Sequence, residues 1–161
     1  LTFDELEEIF EALEINPAYL SEDNKEQSSS GGRIYARTGG VSTAVKNTVE
    51  RIKAQNKPRF KAVQADGVSK CKKMLAQLKN NQIQANFIEG MGCEGGCAGG
   101  PKRIINSDKA TEHIERYAGE ARVKNPIDNL NAMHILKYLS GLEKENKELI
   151  DELAFDKLLL R

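Results

Sequence analysis

The chain has 161 residues, of which 39% are hydrophobic and 30% charged, enough for one domain with a core of its own. Its 24 basic and 24 acidic residues balance, so no global field favours nucleic acid or an anionic membrane, and nothing suggests a membrane span. Three cysteines without a signal peptide argue against a secreted disulfide framework and for a reducing, cytoplasmic setting, while the opening Leu1 in place of Met points to a piece of a longer polypeptide.

In chain order, Thr2 followed by Glu5 forms a capping box, and Phe3, Leu6, Ile9, Phe10 and Leu13 recur at helical spacing until Asn16-Pro17. Residues 21–32 are polar, rich in Ser and Gly, and read as a flexible surface connection. Arg33 to Arg37 is a short strand candidate, Gly39-Gly40 turns the chain, and Val41, Val45, Val49 and Ile52 stripe a helix ending near Asn56-Lys57-Pro58. A second strand is expected from Phe60 to Ala65, a turn at Asp66-Gly67, a helix carrying Val68, Cys71, Leu75 and Leu78, and a third strand from Gln84 to Gly90. Two successive βαβ units follow, hence an α/β fold with a small parallel or mixed sheet flanked by helices. In that arrangement the Gly39-Gly40 turn and the loop after Gly90 both leave carboxyl ends of strands, the edge where open α/β sheets bind ligands.

Further on, Ser107 or Asp108 can cap a helix to about Tyr117, and Asn125-Pro126 breaks the chain before a long terminal helix. There Ile135, Leu142 and Leu149 recur by seven, as do Leu139, Leu153 and Leu160 apart from Asn146. One apolar stripe of this kind serves packing on the chain's own sheet, docking on a separate lobe, or a homodimer through the helix, and the three remain open.

The chemistry concentrates in Phe87-Ile88-Glu89-Gly90-Met91-Gly92-Cys93-Glu94-Gly95-Gly96-Cys97-Ala98-Gly99-Gly100-Pro101. Thiolates are soft ligands suited to iron-sulfur chemistry, and flanking glycines let backbone approach an inorganic cluster. The spacing of Cys93 and Cys97 fits a metal site, a redox dithiol or two unrelated thiols. Cys71 falls on the apolar stripe of its helix and reads as a core residue, while His113 and His134 lack partners at zinc-site spacing. Glu94 is either a solvated carboxylate or a proton relay, and Gly39-Gly40 either offers helix N-terminal N–H groups to an anion or makes a tight turn.

The run Glu89-x-Met91-x-Cys93-x-x-Gly96-Cys97 resembles the third signature of the iron-only hydrogenases, E-x-M-A-C-x-x-G-C-x-x-G-G-G-x-P. Thr2-Phe3-Asp4-Glu5-Leu6 is similar to the segment opening that family's second lobe, and residues 31–41 resemble its G-A-G-x-I-F-G-x-T-G-G-V stretch. The resemblance implies a second lobe over residues 1–105 and a C-terminal helical extension over 106–161. It implies that Cys93 ligates the 4Fe-4S cluster, that Cys97 bridges it to the diiron subcluster, that Gly39 and Gly40 line the site and that Met91 packs beside it. The whole protein would then interconvert dihydrogen with protons and electrons, partnered by a first lobe that supplies the other two cluster cysteines and by an iron-sulfur electron carrier. This chain lacks those first-lobe motifs, so by itself it is expected to be folded, inactive and free of cluster. Departures point to a divergent branch with some sensory or regulatory members. Ser42-Thr43-Ala44 stands where catalytic members carry M-E-A, Arg37 replaces a small residue, Glu94 replaces a common Pro, and the loop after Cys97 is short.

Overall fold

Two short strands lie in parallel, β1 (Ala62–Asp66) beside β2 (Phe87–Met91), with Ala62 opposite Phe87 and Asp66 opposite Met91. The computed structural model describes residues 1–21, 27–52 and 59–140, and among these the strands are accompanied by six α-helices. These are α1 (Phe3–Ala12), α2 (Ser30–Arg33), α3 (Gly40–Ile52), α4 (Val68–Lys79), α5 (Ser107–Glu120) and α6 (Leu130–Ser140). The α/β class expected from the sequence is therefore the class observed. No helix among the described residues is long and apolar enough to cross a membrane.

The expected pair of βαβ units is a single one, β1-α4-β2, because Arg33 to Arg37 is not a strand. Ser29 caps α2 by accepting the Gly32 N–H at 3.1 Å, and the chain continues as a 3-10 turn over Ile34–Ala36. Tertiary contacts hold this helical form. The Arg33 guanidinium donates to the Tyr117 carbonyl at 2.7 Å and stacks 3.9 Å from the Tyr117 ring centre, while Gly31 is pressed against Pro126. Part of the expected polar connection over 21–32 is thus ordered against α5, and residues 22–26 lie outside those described. Apolar patterning suggested a strand here, but a five-residue run is too short for its period to outweigh such contacts.

The core is small-sided. Among the described residues the buried apolar ones are Ile34, Ala44, Ala65, Met74, Ala98, Ala118 and Ala121. On α3 the deepest positions are Ser42, Ala44 and Thr48, whereas Val41, Val45, Val49 and Ile52 are only half-buried. The reason is polar docking: the Thr48 hydroxyl lies 2.8 Å from the Ala44 carbonyl and 3.1 Å from Asn125 Oδ1, which also accepts from Ile127 N–H. On α4 the buried residue is Met74, while Val68, Leu75 and Leu78 are exposed because two strands cover only part of that helix. The cap of α5 is Asn106, one residue earlier than expected, and its side chain accepts from Lys109 N–H at 2.9 Å. In α6, Ile135 is exposed. The heptad positions Leu142, Asn146, Leu149, Leu153 and Leu160, and the side chain of Leu139, lie outside the described residues.

A β-carbon on Gly40 would sit 1.8 Å from the Ile34 carbonyl oxygen, a backbone atom that cannot swing away. Gly40→Ala is accordingly expected to destabilise the domain by roughly 3 kcal/mol or more, read as a lowered urea midpoint with an unchanged slope.

Candidate functional site

Glu89, at the centre of β2, is 5% exposed and points its carboxylate at the start of α3. One oxygen accepts from Gly39 N–H and the other from Ser42 N–H, both at 2.8 Å. The opposite residue in the register, Gln64, points to the same side, and its amide donates to the Ser42 hydroxyl. The anion expected at this helix N-terminus is thus the chain's own carboxylate, placed where unpaired N–H groups and the helix dipole favour negative charge. Gly39 takes φ +78° to present its N–H inward, and Gly40 N–H closes on the Arg37 carbonyl at 3.0 Å. Both glycines therefore have a folding role of their own.

Asp66, the last residue of β1, ties the two loops at this edge together. Its Oδ2 accepts from the Thr38 hydroxyl at 3.1 Å and from Gly95 N–H at 2.8 Å, and Oδ1 accepts from the Lys70 ammonium at 2.8 Å. Lys70 also reaches Glu94 at 3.4 Å. The Lys70 hydrogen bond, then the Gly95 N–H and the Thr38 hydroxyl, hold the Asp66 carboxyl at about 2, below its ordinary 3.8, and Asp66 in turn raises Lys70. Arg37 and Gly96 form an isolated antiparallel bridge. Gly96, at φ +77°, packs so closely that a β-carbon would lie 2.7 Å from Met91 Sδ, 2.8 Å from Thr38 N and 2.9 Å from Ala36 O. The paired-glycine turn and the cysteine loop thus meet at the carboxyl end of β1 and β2, as expected, although no strand leads into the turn.

Within this loop Cys93 is half-buried and Cys97 exposed, and Met91 is half-buried at the end of β2. A β-carbon on Gly92 would meet nothing within 4 Å, so there is open space beside Cys93. Cys71 approaches the start of this loop from another element. It sits half-buried on α4, its thiol 3.3 Å from the Met91 carbonyl and 3.5 Å from the Ala65 carbonyl. Glu94 is exposed and engaged with Lys70, and both histidines are exposed, His113 with its Nδ1 2.7 Å from Arg116. Among the described residues no group of three or more His, Cys, Asp or Glu could hold a metal ion. The donor set at the loop is two thiols among glycines, fewer than the four thiolates that a cubane cluster takes. Asp66 and its partners were not picked out from the sequence. An acid before Gly67 and a lysine four residues on is a signal shared with many exposed turns.

These features define an α/β domain with a cysteine-bearing, glycine-rich loop at the carboxyl edge of a parallel sheet. Residues 1–101 match the family model described as the iron only hydrogenase large subunit, C-terminal domain, and the chain belongs to that family. No curated protein matches it. The matched span ends at Pro101, at the far end of the cysteine loop.

Two outcomes follow from the polar ties. Glu89→Gln, which turns one acceptor into a donor facing an N–H, is expected to cost about 2 to 3 kcal/mol, measured by urea unfolding. Because the Asp66 carboxyl is depressed in the folded chain, its contribution is present above its ordinary value of 3.8 and is lost as pH falls toward about 2. Amide exchange at Gly95, corrected for intrinsic rate, should therefore be flat above pH 4 and accelerate below it, and Asp66→Asn should remove that pH dependence.

Proposed function

We propose that this chain contributes one side of the hydrogenase metal site, with Cys93 and Cys97 as two thiolate ligands of the 4Fe-4S cluster and its diiron partner. On this reading Gly39, Gly40 and Met91 line the site, and the remaining cysteine ligands come from a first lobe outside this sequence. The observation that carries it is the meeting of the two loops. Asp66 accepts from Thr38 and Gly95 with the same oxygen, so the cysteine loop and the glycine turn are held as one surface.

When bound, the cluster supplies reversible interconversion of dihydrogen with protons and electrons. What the chain itself supplies is position. Glu89 fixes the turn from behind through the Gly39 and Ser42 N–H groups. Asp66 and Lys70 fix the loop from the side, and the glycines around the two thiols leave them accessible. Thiolate, not thiol, is the ligand, so metal binding releases protons at Cys93 and Cys97. An iron-sulfur electron carrier and the first lobe are the partners this role requires. A sensory role would use the same ligands, and the departure at Ser42-Thr43-Ala44, whose Ser42 is engaged by Glu89 and Gln64, favours keeping that reading beside the catalytic one.

The test is anaerobic reconstitution of the chain with iron and sulfide, followed by iron analysis and absorption spectroscopy. Wild-type protein is expected to bind iron weakly and below one cubane per chain. Cys93→Ser and Cys97→Ser should each lose that binding and Cys71→Ser should keep it. Undiminished binding by both loop variants would remove the ligand assignment, and a full cubane on the monomer would remove the half-site. A disulfide potential for Cys93 and Cys97 within the range of cytosolic thiol couples would instead support a redox dithiol.

A further inference from the structure

Two exposed grooves on opposite-charged helices carry the same spacing. Residues 1–21 contain six carboxylates, Asp4, Glu5, Glu7, Glu8, Glu11 and Glu14, and no Lys or Arg. The helix α1 within them buries no residue, and its apolar face opens into a groove shared with Ile15 and Ile104. Along that groove Phe3, Glu7 and Phe10 follow one another at i, i+4 and i+7 of the helix, and Glu14 lines the groove from the turn just past the helix end. The helix α4 has four lysines, Lys70, Lys72, Lys73 and Lys79, and no acidic residue. A second apolar groove lies between its flank and the edge of β2, lined by Val68, Lys72, Leu75 and Ile88 among others. Here Val68, Lys72 and Leu75 repeat i, i+4 and i+7, and Lys79, the last residue of α4, continues the spacing beyond the groove.

The two rows are thus apolar, acidic, apolar against apolar, basic, apolar, each followed by one more charge of its own sign beyond the row. Laid alongside in register, Phe3 meets Val68, Glu7 meets Lys72 and Phe10 meets Leu75, with Glu14 and Lys79 at the same end. Among the described residues none of Glu7, Glu14, Lys72 and Lys79 takes part in any of the ion pairs formed. The grooves have no lining residue in common, so one copy does not close its own pair. Pairing α1 with α1, or α4 with α4, would oppose like charges.

We propose that α1 of one copy seats on α4 of a second copy of this chain, with the matched rows as the contact. Two such contacts made reciprocally about a two-fold axis would close a dimer, which also accounts for complementary faces on one chain. The groove on α4 also takes in Met91 and Gly92, at the start of the cysteine loop, but the test reads association through charges at Glu7, Glu14, Lys72 and Lys79, none of which belongs to the metal-site reading.

Sedimentation velocity of the whole chain over a concentration series is the test. Association is expected, and raising sodium chloride from about 50 mM to about 500 mM should weaken it roughly tenfold. Glu7→Lys with Glu14→Lys should weaken association by at least roughly tenfold, and so should Lys72→Glu with Lys79→Glu. Mixing the two reversed chains should restore it, since each then presents the sign the other lacks. That restoration also shows that both variants fold. A monomer at every concentration, or association indifferent to both charge reversals and to their mixing, would overturn the proposal and leave these faces to another polypeptide.

Discussion

The Glu89 carboxylate is the constraint on which the site's geometry depends. It stands on the central position of β2 and reaches across the sheet to the first N–H groups of α3. A buried carboxylate is costly unless its oxygens are satisfied, and here two charge-assisted bonds and the positive end of a helix dipole satisfy it. With that bond in place, the turn before α3 is held at a fixed distance from the strand that ends in Met91 and leads into Cys93. The turn and loop are then close enough for Asp66 to bind both.

This order of causes explains which parts were legible in the residues. The strand expected from Gln84 to Gly90 and found over Phe87–Met91, the helix from Val68 and the Gly39-Gly40 bend could be read because turn chemistry and short-range spacing are local. The meeting of turn and loop could be inferred too, but for a reason that holds only in part. It was expected from strand ends sharing an edge, and the segment before the turn is helical, drawn onto α5 by Arg33 and Tyr117 and packed against Pro126. The edge is shared because side chains at the ends of the two real strands reach over to it.

The misreadings have a common physical source. Periodicity marks the valines of α3 and the leucines of α4 as core, yet Ser42, Ala44 and Thr48 are buried on α3 while Leu75 and Leu78 remain in solvent. Apolar stripes report surfaces that need covering, and do not say whether this chain covers them. A two-stranded sheet leaves much of α4 open, and α1 has no buried residue at all. The charge pattern across those same helices is long-range in sequence and acquires meaning only once the two grooves are seen. Asp66 was equally illegible, since its three partners lie 28 residues before, 4 after and 29 after it.

Among the described residues, five of the seven buried apolar ones are alanines. Trimming any of these removes a single methyl, whereas adding one at Gly40 or Gly96 drives it into main-chain atoms. Tolerance to substitution should therefore run opposite to that of an ordinary globular domain, with bulk gained being more damaging than bulk lost. Added bulk should be borne best where a β-carbon points into open space, as at Gly92, and worst at the bend and the loop where Gly40 and Gly96 face main chain.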